Sequence, residues 1–224
     1  MYPAFPRIVL GRPMSTKVEL DDPLAGQMSK YFATTYDRAF SKQDIRARIV
    51  LLVRHGSLRS ADDGDRIRTA KIIDNDRLGI ARDNSYVKYD LLPDRNAHFR
   101  YRPDEPIRRT QYGRLLDVYY VEFLEKKARK ATENQPAVPR KVKPYLLARV
   151  DECNTNGADA ADPRVDVLTY THSRRIAPDI IPVYAISAVV GRMRTANNVW
   201  AIIDRSSSGA RTQFVDDEGN EEHQ

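Results

Sequence analysis

The feature that most constrains the fold is the stretch of residues 183–205, which has the sequence VYAISAVVGRMRTANNVWAIIDR. Two apolar runs rich in β-formers, residues 183–193 and 199–204, flank a short polar turn at residues 196–198. This pattern predicts a β-hairpin. Because an isolated hairpin is only marginally stable, we expect the rest of the chain to supply strands that pair with it. The hairpin would then be the last strand pair of an all-β domain.

Strand candidates upstream of the hairpin provide these partners. The longest, residues 110–124, is too long for one straight strand, so we expect a bend at Gly113 or a bulge near Asp117. The chain lacks a regular alternation of strands and helices, which argues against a parallel α/β sheet. We therefore predict a mainly β fold, either a barrel or a sandwich. The other candidate strands lie at residues 49–54, 86–91, 145–150 and 165–170.

One substantial helix is predicted before these strands. Asp21 and Pro23 form a helix-start signal, because an Asp cap accepts hydrogen bonds from free amides and proline presets the first helical residue. Apolar residues recur at helical spacing over residues 24–40, which predicts an amphipathic helix packed on the β-domain. Ser41, with Asp44 three residues later, resembles a second cap.

The predicted chain has one large domain and two flexible ends. Its 224 residues suit a single core. No run approaches the roughly 18 apolar residues of a membrane span, and the first residues lack the apolar core of a secretory signal. We therefore expect an intracellular protein that does not enter the membrane. The predicted parts are an extended arm (1–20), a helical segment (21–48), a β-barrel domain (49–206) with a basic loop (126–144), and an acidic disordered tail (207–224).

The sequence offers little for catalysis. Cys153 is the single cysteine, which excludes an internal disulfide and fits a reducing compartment. It follows Asp151 and Glu152, whose negative charge raises the pKa of the thiol and disfavours a nucleophile. The four histidines are scattered singly, and the glycine motifs that cradle nucleotide phosphates are absent. We therefore expect a non-enzymatic protein without a cofactor.

An acidic turn leaves two interpretations open. Asp62, Asp63 and Asp65 surround Gly64, and several carboxylates together can hold a hard cation. The full calcium-binding loop with its distant glutamate is absent, and Asp and Gly are also the residues that plain turns favour. We favour the plain turn and predict no metal site.

Positive charge is concentrated in the predicted basic loop. The formal net charge is +6, but Glu133 is the one acid among the bases of residues 126–149, whereas acids dominate after Gly209. A basic loop is typical of contact with phosphate or an acidic partner, and the alternative is a solvated loop between two strands. The candidate DNA-contacting residues are Lys126, Lys127, Arg129, Lys130, Arg140, Lys141 and Lys143.

Aromatic residues in the predicted strands suggest a second kind of site. On a barrel rim, their rings would form a pocket for a peptide or for methyl-lysine, because a ring face attracts a cation. The alternative is that these rings pack in the core. The candidate ligand-binding residues are Tyr119, Tyr120, Tyr170 and Trp200.

Four segments carry a resemblance to a known family. They are DGDRIRTA at residues 63–70, ARDNSYVKYDLLPDRNA at 81–97, YGRLLDVYYVEF at 112–123, and VVGRMRT with WAIIDRS within 189–206. They resemble the C-terminal region of transposase-derived proteins of mushroom-type fungi, of the Kyakuja, Dileera and Zisupton type and the related Plavaka type. The acid triad of a transposase lies in a ribonuclease H-like core. Nothing in this chain offers the alternating strands and helices of that core, so we expect no transposition by this chain.

A second resemblance concerns the fold. The strands at residues 145–150, 165–170 and 185–195 look like those of a bromo-adjacent homology (BAH) barrel, which is SH3-like. This resemblance implies a nuclear module that binds protein or chromatin, so a protein or histone-tail partner is the first hypothesis. Direct DNA contact through the basic loop is the second, and an unrecognised enzyme is the third. The salt dependence of binding distinguishes the first two hypotheses, because the affinity of phosphate contacts falls steeply as ionic strength rises.

Overall fold

The computed structural model of this protein describes residues 2–61, 64–76, 82–96, 98–99, 101–126, 139–162, 164–171 and 177–206. Strands dominate this part of the chain, so the prediction of a mainly β fold is confirmed. The strands are β1 (Ile8–Ser15), β2 (Ile49–Ser60), β3 (Ile67–Arg68), β4 (Tyr86–Leu91), β5 (Arg109–Lys126), β6 (Lys141–Glu152), β7 (Thr169–Thr171), β8 (Asp179–Pro182), β9 (Ile186–Val189), β10 (Gly191–Ala196) and β11 (Val199–Ile203). The helices are α1 (Asp22–Tyr36), α2 (Lys42–Arg48) and α3 (Ala70–Asp74), and a 3-10 turn covers Val183–Ala185.

β5 is the central strand of the main sheet. One of its edges pairs with β6 over most of the length of both strands. Its other edge pairs with β4 in the first half and with β2 in the second half. β1 extends the sheet beyond β2, β9 beyond β4, and β8 beyond β6. Among the described residues these antiparallel pairings form an open, branched sheet, so the barrel closure predicted from the sequence is not seen.

The pairing register of β5 shifts where the sequence predicts a bulge, and the close approach of β6 explains why nearby position 113 is a glycine. The register with β6 shifts between Leu115 and Asp117, which confirms the predicted bulge. A Cβ at Gly113 would lie 2.4 Å from Val150 Cγ1 and 2.8 Å from the main-chain oxygen of Asp151. The backbone of β5 therefore approaches β6 more closely than any side chain allows.

We expect Gly113→Ala to lower the free energy of unfolding by roughly 1–3 kcal/mol, because the new methyl group must displace backbone atoms in a packed sheet. Gly26→Ala is the matched control. Gly26 lies inside α1, where an added Cβ meets only Lys42 Cε at 3.4 Å, and alanine is favoured over glycine in a helix by about 1 kcal/mol. Denaturant unfolding of the two variants should give shifts of opposite sign. A Gly113→Ala protein as stable as the parent would contradict the steric explanation.

Side chains alternate across β5, and both faces of the sheet are covered as a result. One face carries Val118 and Tyr120, which pack with residues of β1, β4, β6 and β9 in a first core. The opposite face carries Tyr119, Val121 and Phe123, which pack against α1 and α2 in a second core. This arrangement follows from the two-residue period of a strand. The helical segment is thus packed on the sheet, as predicted.

Both predicted helix starts are present. Asp21 Oδ1 accepts a hydrogen bond from the Leu24 N–H at 2.8 Å, and a reciprocal capping box forms at the start of α2. α1 ends at Tyr36 and not at residue 40, because Asp37 adopts the left-handed conformation with φ 46°. The chain then turns back and buries Phe40 in the second core.

The N-terminal arm is a strand of the main sheet. β1 pairs antiparallel with β2, and Ile8 is buried in the first core. Before β1, Tyr2 stacks on Tyr120 with ring centroids 3.7 Å apart. The Tyr2 hydroxyl also lies 3.0 Å from His55 Nε2. The predicted extended arm is therefore fixed to the sheet by main-chain pairing and by its aromatic ring.

The C-terminal hairpin forms as predicted but belongs to a different sheet. β10 and β11 pair across residues 197 and 198, where Asn198 adopts a positive φ of 58°, a conformation that asparagine accepts more readily than most residues. β7 completes this separate three-stranded sheet. The predicted run at residues 183–193 is divided between the 3-10 turn, β9 in the main sheet and β10 in the small sheet. The expectation that the rest of the chain supplies a strand that pairs with the hairpin is confirmed, because β7 pairs with β11. The chain crosses from the main sheet to the small sheet at Val190.

A buried polar network joins the two sheets. Lys88 Nζ on β4 lies 2.9 Å from Asp204 Oδ2, just after β11, and these side chains are 13% and 5% exposed. The Tyr112 hydroxyl lies 2.9 Å from Asp159 Oδ1 and 3.1 Å from Asp204 Oδ2. Burial raises the pKa of Asp204, but hydrogen bonds from Ser206 and Lys88 outweigh it and hold the pKa below its usual value. Asp204 therefore stays ionised opposite the Lys88 ammonium.

Candidate functional site

A groove of about 860 Å³ lies between the N-terminal arm, α1 and one end of the main sheet. A cavity of this size is typical of ligand-binding sites. The wall is contributed by five separate segments, so no local motif in the sequence announces it. The lining residues are Ala4, Phe5, Arg7, Ile8, Gln27, Lys30, Tyr31, Thr34, Thr35, Leu91, Leu92, Pro93, Lys143, Pro144, Tyr145, Leu146, Asp179, Ile180, Ile181, Pro182, Val183 and Tyr184.

The short length of β8 opens this end of the sheet. β8 pairs with β6 only from Leu147 to Val150, and at Pro182 the chain leaves the ladder for the 3-10 turn. The first half of β6, residues 141–146, therefore has no residue of β8 paired with it. Proline suits this position because it cannot donate a further ladder hydrogen bond.

The groove wall is mainly apolar and aromatic, with a few charges. Tyr184 is 51% exposed and Leu92 is 69% exposed, so large apolar side chains face the solvent here. The ammonium of Lys143 lies 5.5 Å from the centroid of the Tyr145 ring. Such a ring and cation pair offers both apolar contact and positive charge to a ligand.

Gln27 adds a polar group with unmet hydrogen-bonding capacity. Its side chain lies in the groove wall, is 9% exposed, and its Oε1 atom has no hydrogen-bond partner in the described part of the chain. A buried unsatisfied acceptor costs about 1–3 kcal/mol. A donor carried by a ligand would satisfy this atom.

A hydroxyl network fixes the basic end of β6 against α1. The Tyr36 hydroxyl donates to Glu125 Oε1 at 2.9 Å and lies 2.6 Å from the Tyr145 hydroxyl. Lys141 Nζ lies 2.7 Å from Glu125 Oε2. The hydrogen bond from Lys141 is the main cause of the lowered pKa of Glu125. Because the Tyr36 proton is given to Glu125, the Tyr145 hydroxyl donates to Tyr36, and burial raises the pKa of Tyr145.

The predicted ligand-binding tyrosines do not converge on a rim. Tyr119 is 2% exposed and Tyr120 is 7% exposed, and they lie on opposite faces of β5. Tyr170 is 4% exposed and packs with Trp200 in a third core beside the small sheet. Core packing, the alternative considered for these rings, therefore describes the three tyrosines. The physical reason is that neighbouring strand residues face opposite sides of the sheet.

Trp200 and Tyr184 differ from these three. Trp200 is partly buried, and its ring lies 4.1 Å from the Arg192 guanidinium carbon, which is also 4.3 Å from the Tyr86 ring. Trp200 is thus engaged within the small sheet. Tyr184 was not among the four candidate ligand-binding residues, although its ring lines the groove and is 51% exposed.

The predicted basic loop is shorter than expected. β5 runs to Lys126 and β6 begins at Lys141, so residues 141–144 belong to a strand. Pro144 lies within β6, in register with Glu122 of β5, because a strand accepts a proline where its nitrogen faces away from the partner strand. The candidates Lys127, Arg129 and Lys130 lie outside the described residues.

The four described bases divide into two groups. Lys126 and Lys141 are register partners at the end of the β5–β6 pair where the chain passes from β5 to β6, and Arg140 directly precedes β6. Lys143 lies at the groove. Lys141 is paired with Glu125, whereas Lys126 and Arg140 are exposed.

Cys153 is buried and unsuited to nucleophilic chemistry. Its side chain lies in the third core and is 4% exposed. Burial first, and then the charges of Asp151 and Glu152, raise the pKa of the thiol to about 12. The direction predicted from the two neighbouring acids is confirmed, and burial is the larger cause.

Neither the described residues beyond the groove nor the comparisons with known proteins add an established function. The described residues contain no group of three or more His, Cys, Asp or Glu placed to hold a metal ion, and Asp62 and Asp63 of the acidic turn lie outside them. Within the same ranges, no helix combines the length and apolarity needed to cross a membrane. Comparisons with protein-family models, curated proteins and solved structures find no match for this chain.

Proposed function

We propose that this protein is a non-catalytic interaction module that binds an extended segment of a partner protein in the groove. The observation that carries the proposal is a groove of about 860 Å³ whose wall combines apolar side chains, exposed aromatic surface and a few charges. Sites of this composition recognise ligands through apolar contact and use polar groups to orient them. The lining residues include neither histidine nor cysteine, and Asp179 is their single carboxylate.

The charge of the wall favours an acidic partner segment. Arg7, Lys30 and Lys143 line the groove together with one acid, Asp179. A basic histone tail would meet like charge there, so we propose an acidic and apolar segment instead. The nuclear setting and the link to transposase-derived proteins stay proposals, supported by the sequence segments that carry the resemblance.

Selection of peptides on the full chain tests the proposed function. A phage-displayed library of random octapeptides is the probe, and enriched peptides are synthesised and titrated by fluorescence anisotropy. We expect enriched sequences to combine acidic and apolar residues. Tyr184→Ala should weaken their binding roughly ten-fold, because truncating an aromatic contact in a pocket typically costs more than about 1 kcal/mol. Tyr101→Ala is the matched control, since Tyr101 is 100% exposed and does not line the groove.

Charge reversal provides a second comparison for the same peptides. Lys30→Glu should weaken binding of acidic peptides, whereas Lys71→Glu on α3, outside the groove wall, should leave their affinity unchanged. Absence of any enriched peptide would contradict the proposed function. Equal binding to the parent, Tyr184→Ala and Lys30→Glu would also remove the groove as the binding site.

A second candidate function is contact with a nucleic acid backbone at the end of the β5–β6 pair where the chain passes from β5 to β6. The specific observation is that Lys126 and Lys141 lie opposite each other, next to the exposed Arg140. Three neighbouring cations at one strand end can neutralise backbone phosphates.

We expect binding to a short DNA duplex to weaken between about 50 and 200 mM salt, with a log–log slope of about 0.9 per neutralised phosphate. Glutamine at Lys126, Arg140 and Lys141 should abolish this binding. A control with glutamine at Lys17, Lys71 and Arg109 removes the same charge elsewhere and should retain it. Equal loss in both variants would show a response to net charge and not to this strand end.

A further inference from the structure

The first half of β6 has one edge without a partner strand. β5 pairs along one side of β6 from Lys141 to Glu152. On the other side, β8 covers only Leu147 to Val150. Among the described strands, none pairs with that side of residues 141–146. Such an edge presents main-chain N–H and C=O groups to which another chain can bind.

The groove faces this edge. Four consecutive residues of β6, 143–146, line it. Neighbouring side chains of a strand point to opposite faces, so a cavity that touches all four lies beside the strand and not above one face. The other walls agree, because Ile8 of the arm belongs to the core on one face and α1 covers the opposite face. The groove therefore occupies the position of a further strand.

Two prolines indicate which main-chain groups point into the groove. Pro144 is paired in register with Glu122 of β5, and Pro182 of β8 is paired with Leu147 of β6. A proline fits a ladder where its nitrogen faces away from the partner strand. Both prolines indicate the same pattern of main-chain groups. In this part of β6, the N–H and C=O groups of odd-numbered residues point to β5, and those of even-numbered residues point away from it. The Leu146 N–H and C=O and the Pro144 C=O are thereby directed to the groove.

We propose that the partner segment binds as an added β-strand on the first half of β6. Its main chain would bond to Leu146 and Pro144, and its alternate side chains would contact the apolar wall near Tyr184 and the ammoniums of Lys30 and Lys143. The occupant is an extended segment in which acidic and apolar residues alternate. Strand addition is a general way to bind peptides, with main-chain bonds supplying affinity and side-chain pockets supplying specificity. This inference rests on the proposed function, because it requires that the groove binds a peptide.

A backbone methylation scan tests the added strand. Each residue of an octapeptide selected on the full chain is replaced in turn by its N-methyl form, which keeps the side chain and charge but removes one donor. We expect methylation at alternate positions to weaken binding roughly ten-fold, and methylation at the positions between them to be tolerated. Hydrogen exchange of the Leu146 amide should also slow roughly ten-fold in the complex. The Tyr145 amide, which faces β5, is the internal control and should change little.

The outcomes distinguish the two proposals. A peptide that binds, tolerates methylation at every position and leaves the Leu146 amide unchanged would overturn strand addition while the groove stays a binding site. A peptide that binds as a helix would do the same. Failure of the library to yield any binding peptide would overturn both proposals. Alternating sensitivity together with slower exchange at Leu146 would support the added strand.

Discussion

Lys88→Met is expected to lower the free energy of unfolding by about 3–5 kcal/mol, because it removes one partner of a buried ion pair and leaves the other uncompensated. Asp204 is 5% exposed and lies 2.9 Å from the Lys88 ammonium. The Tyr112 hydroxyl and Ser206 remain as donors to Asp204, but they carry no positive charge. Denaturant unfolding near pH 7 measures the effect.

Two further variants make this prediction specific. Lys42→Ala removes a partner of Asp22 in an exposed pair, with side chains 49% and 69% exposed, and should cost at most about 1 kcal/mol. The double variant Lys88→Met with Asp204→Leu should be more stable than Lys88→Met alone, because no isolated charge stays buried. If Lys88→Met costs no more than Lys42→Ala, the pair does not hold the two sheets together.

The same ion pair should make stability depend on pH. The pKa of Asp204 is lowered in the folded protein, since hydrogen bonds from Ser206 and Lys88 outweigh the effect of burial. A carboxylate with a lowered folded pKa stabilises the protein above its unfolded pKa of about 3.9, and this contribution is lost as the pH falls through the folded value. Replacing Asp204 by Asn should therefore flatten the acid side of the stability profile.

Phe32→Ala is expected to cost about 3–5 kcal/mol, because it removes a large buried ring and leaves a cavity. Phe32 is 0% exposed, stacks on Phe123 at 4.0 Å between centroids, and meets the edge of Tyr145 at 5.2 Å. The Phe32 ring packs α1 against the face of the main sheet that forms the second core. Since α1 also forms a wall of the groove, loss of this contact should weaken peptide binding together with stability.

Phe99→Ala provides the control for a deleted aromatic ring. Phe99 is 54% exposed and contacts the guanidinium of Arg102, whose carbon lies 4.6 Å from its centroid. Its removal should change the free energy of unfolding by no more than about 0.5 kcal/mol. Thermal or denaturant unfolding of both variants decides the comparison, and equal effects would show that Phe32 does not anchor α1.

Features that depend on neighbouring residues could be predicted from the sequence. Asp21 and Ser41 cap helices because their side chains reach amides two or three residues away. The bulge near Asp117 follows from strand length, and the turn of the last hairpin from its polar residues. The raised pKa of Cys153 follows in direction from adjacent acids. These effects act over a few residues and need no knowledge of the fold.

Strand identity was predictable, but strand partners were not. The sequences of β4, β5 and β6 have the pattern of β-strands. That pattern does not predict that β2 and β4 pair with the same edge of β5. The last hairpin pairs with β7 and not with the main sheet. Pairing depends on which apolar faces find each other across long separations, and this depends on the whole chain.

The sequence by itself determined the class of fold, the helix starts, the bulge of β5 and the last hairpin, because each arises from local geometry or from the period of apolar residues. Tertiary structure decided the rest. It buried Tyr119 and Tyr120 on opposite faces of one strand, and it joined Lys88 to Asp204 across 116 residues. It also built the groove from five segments that are distant in sequence. A site of this kind exists only when strand pairing has placed those segments around one open edge, so no single stretch of the sequence contains it.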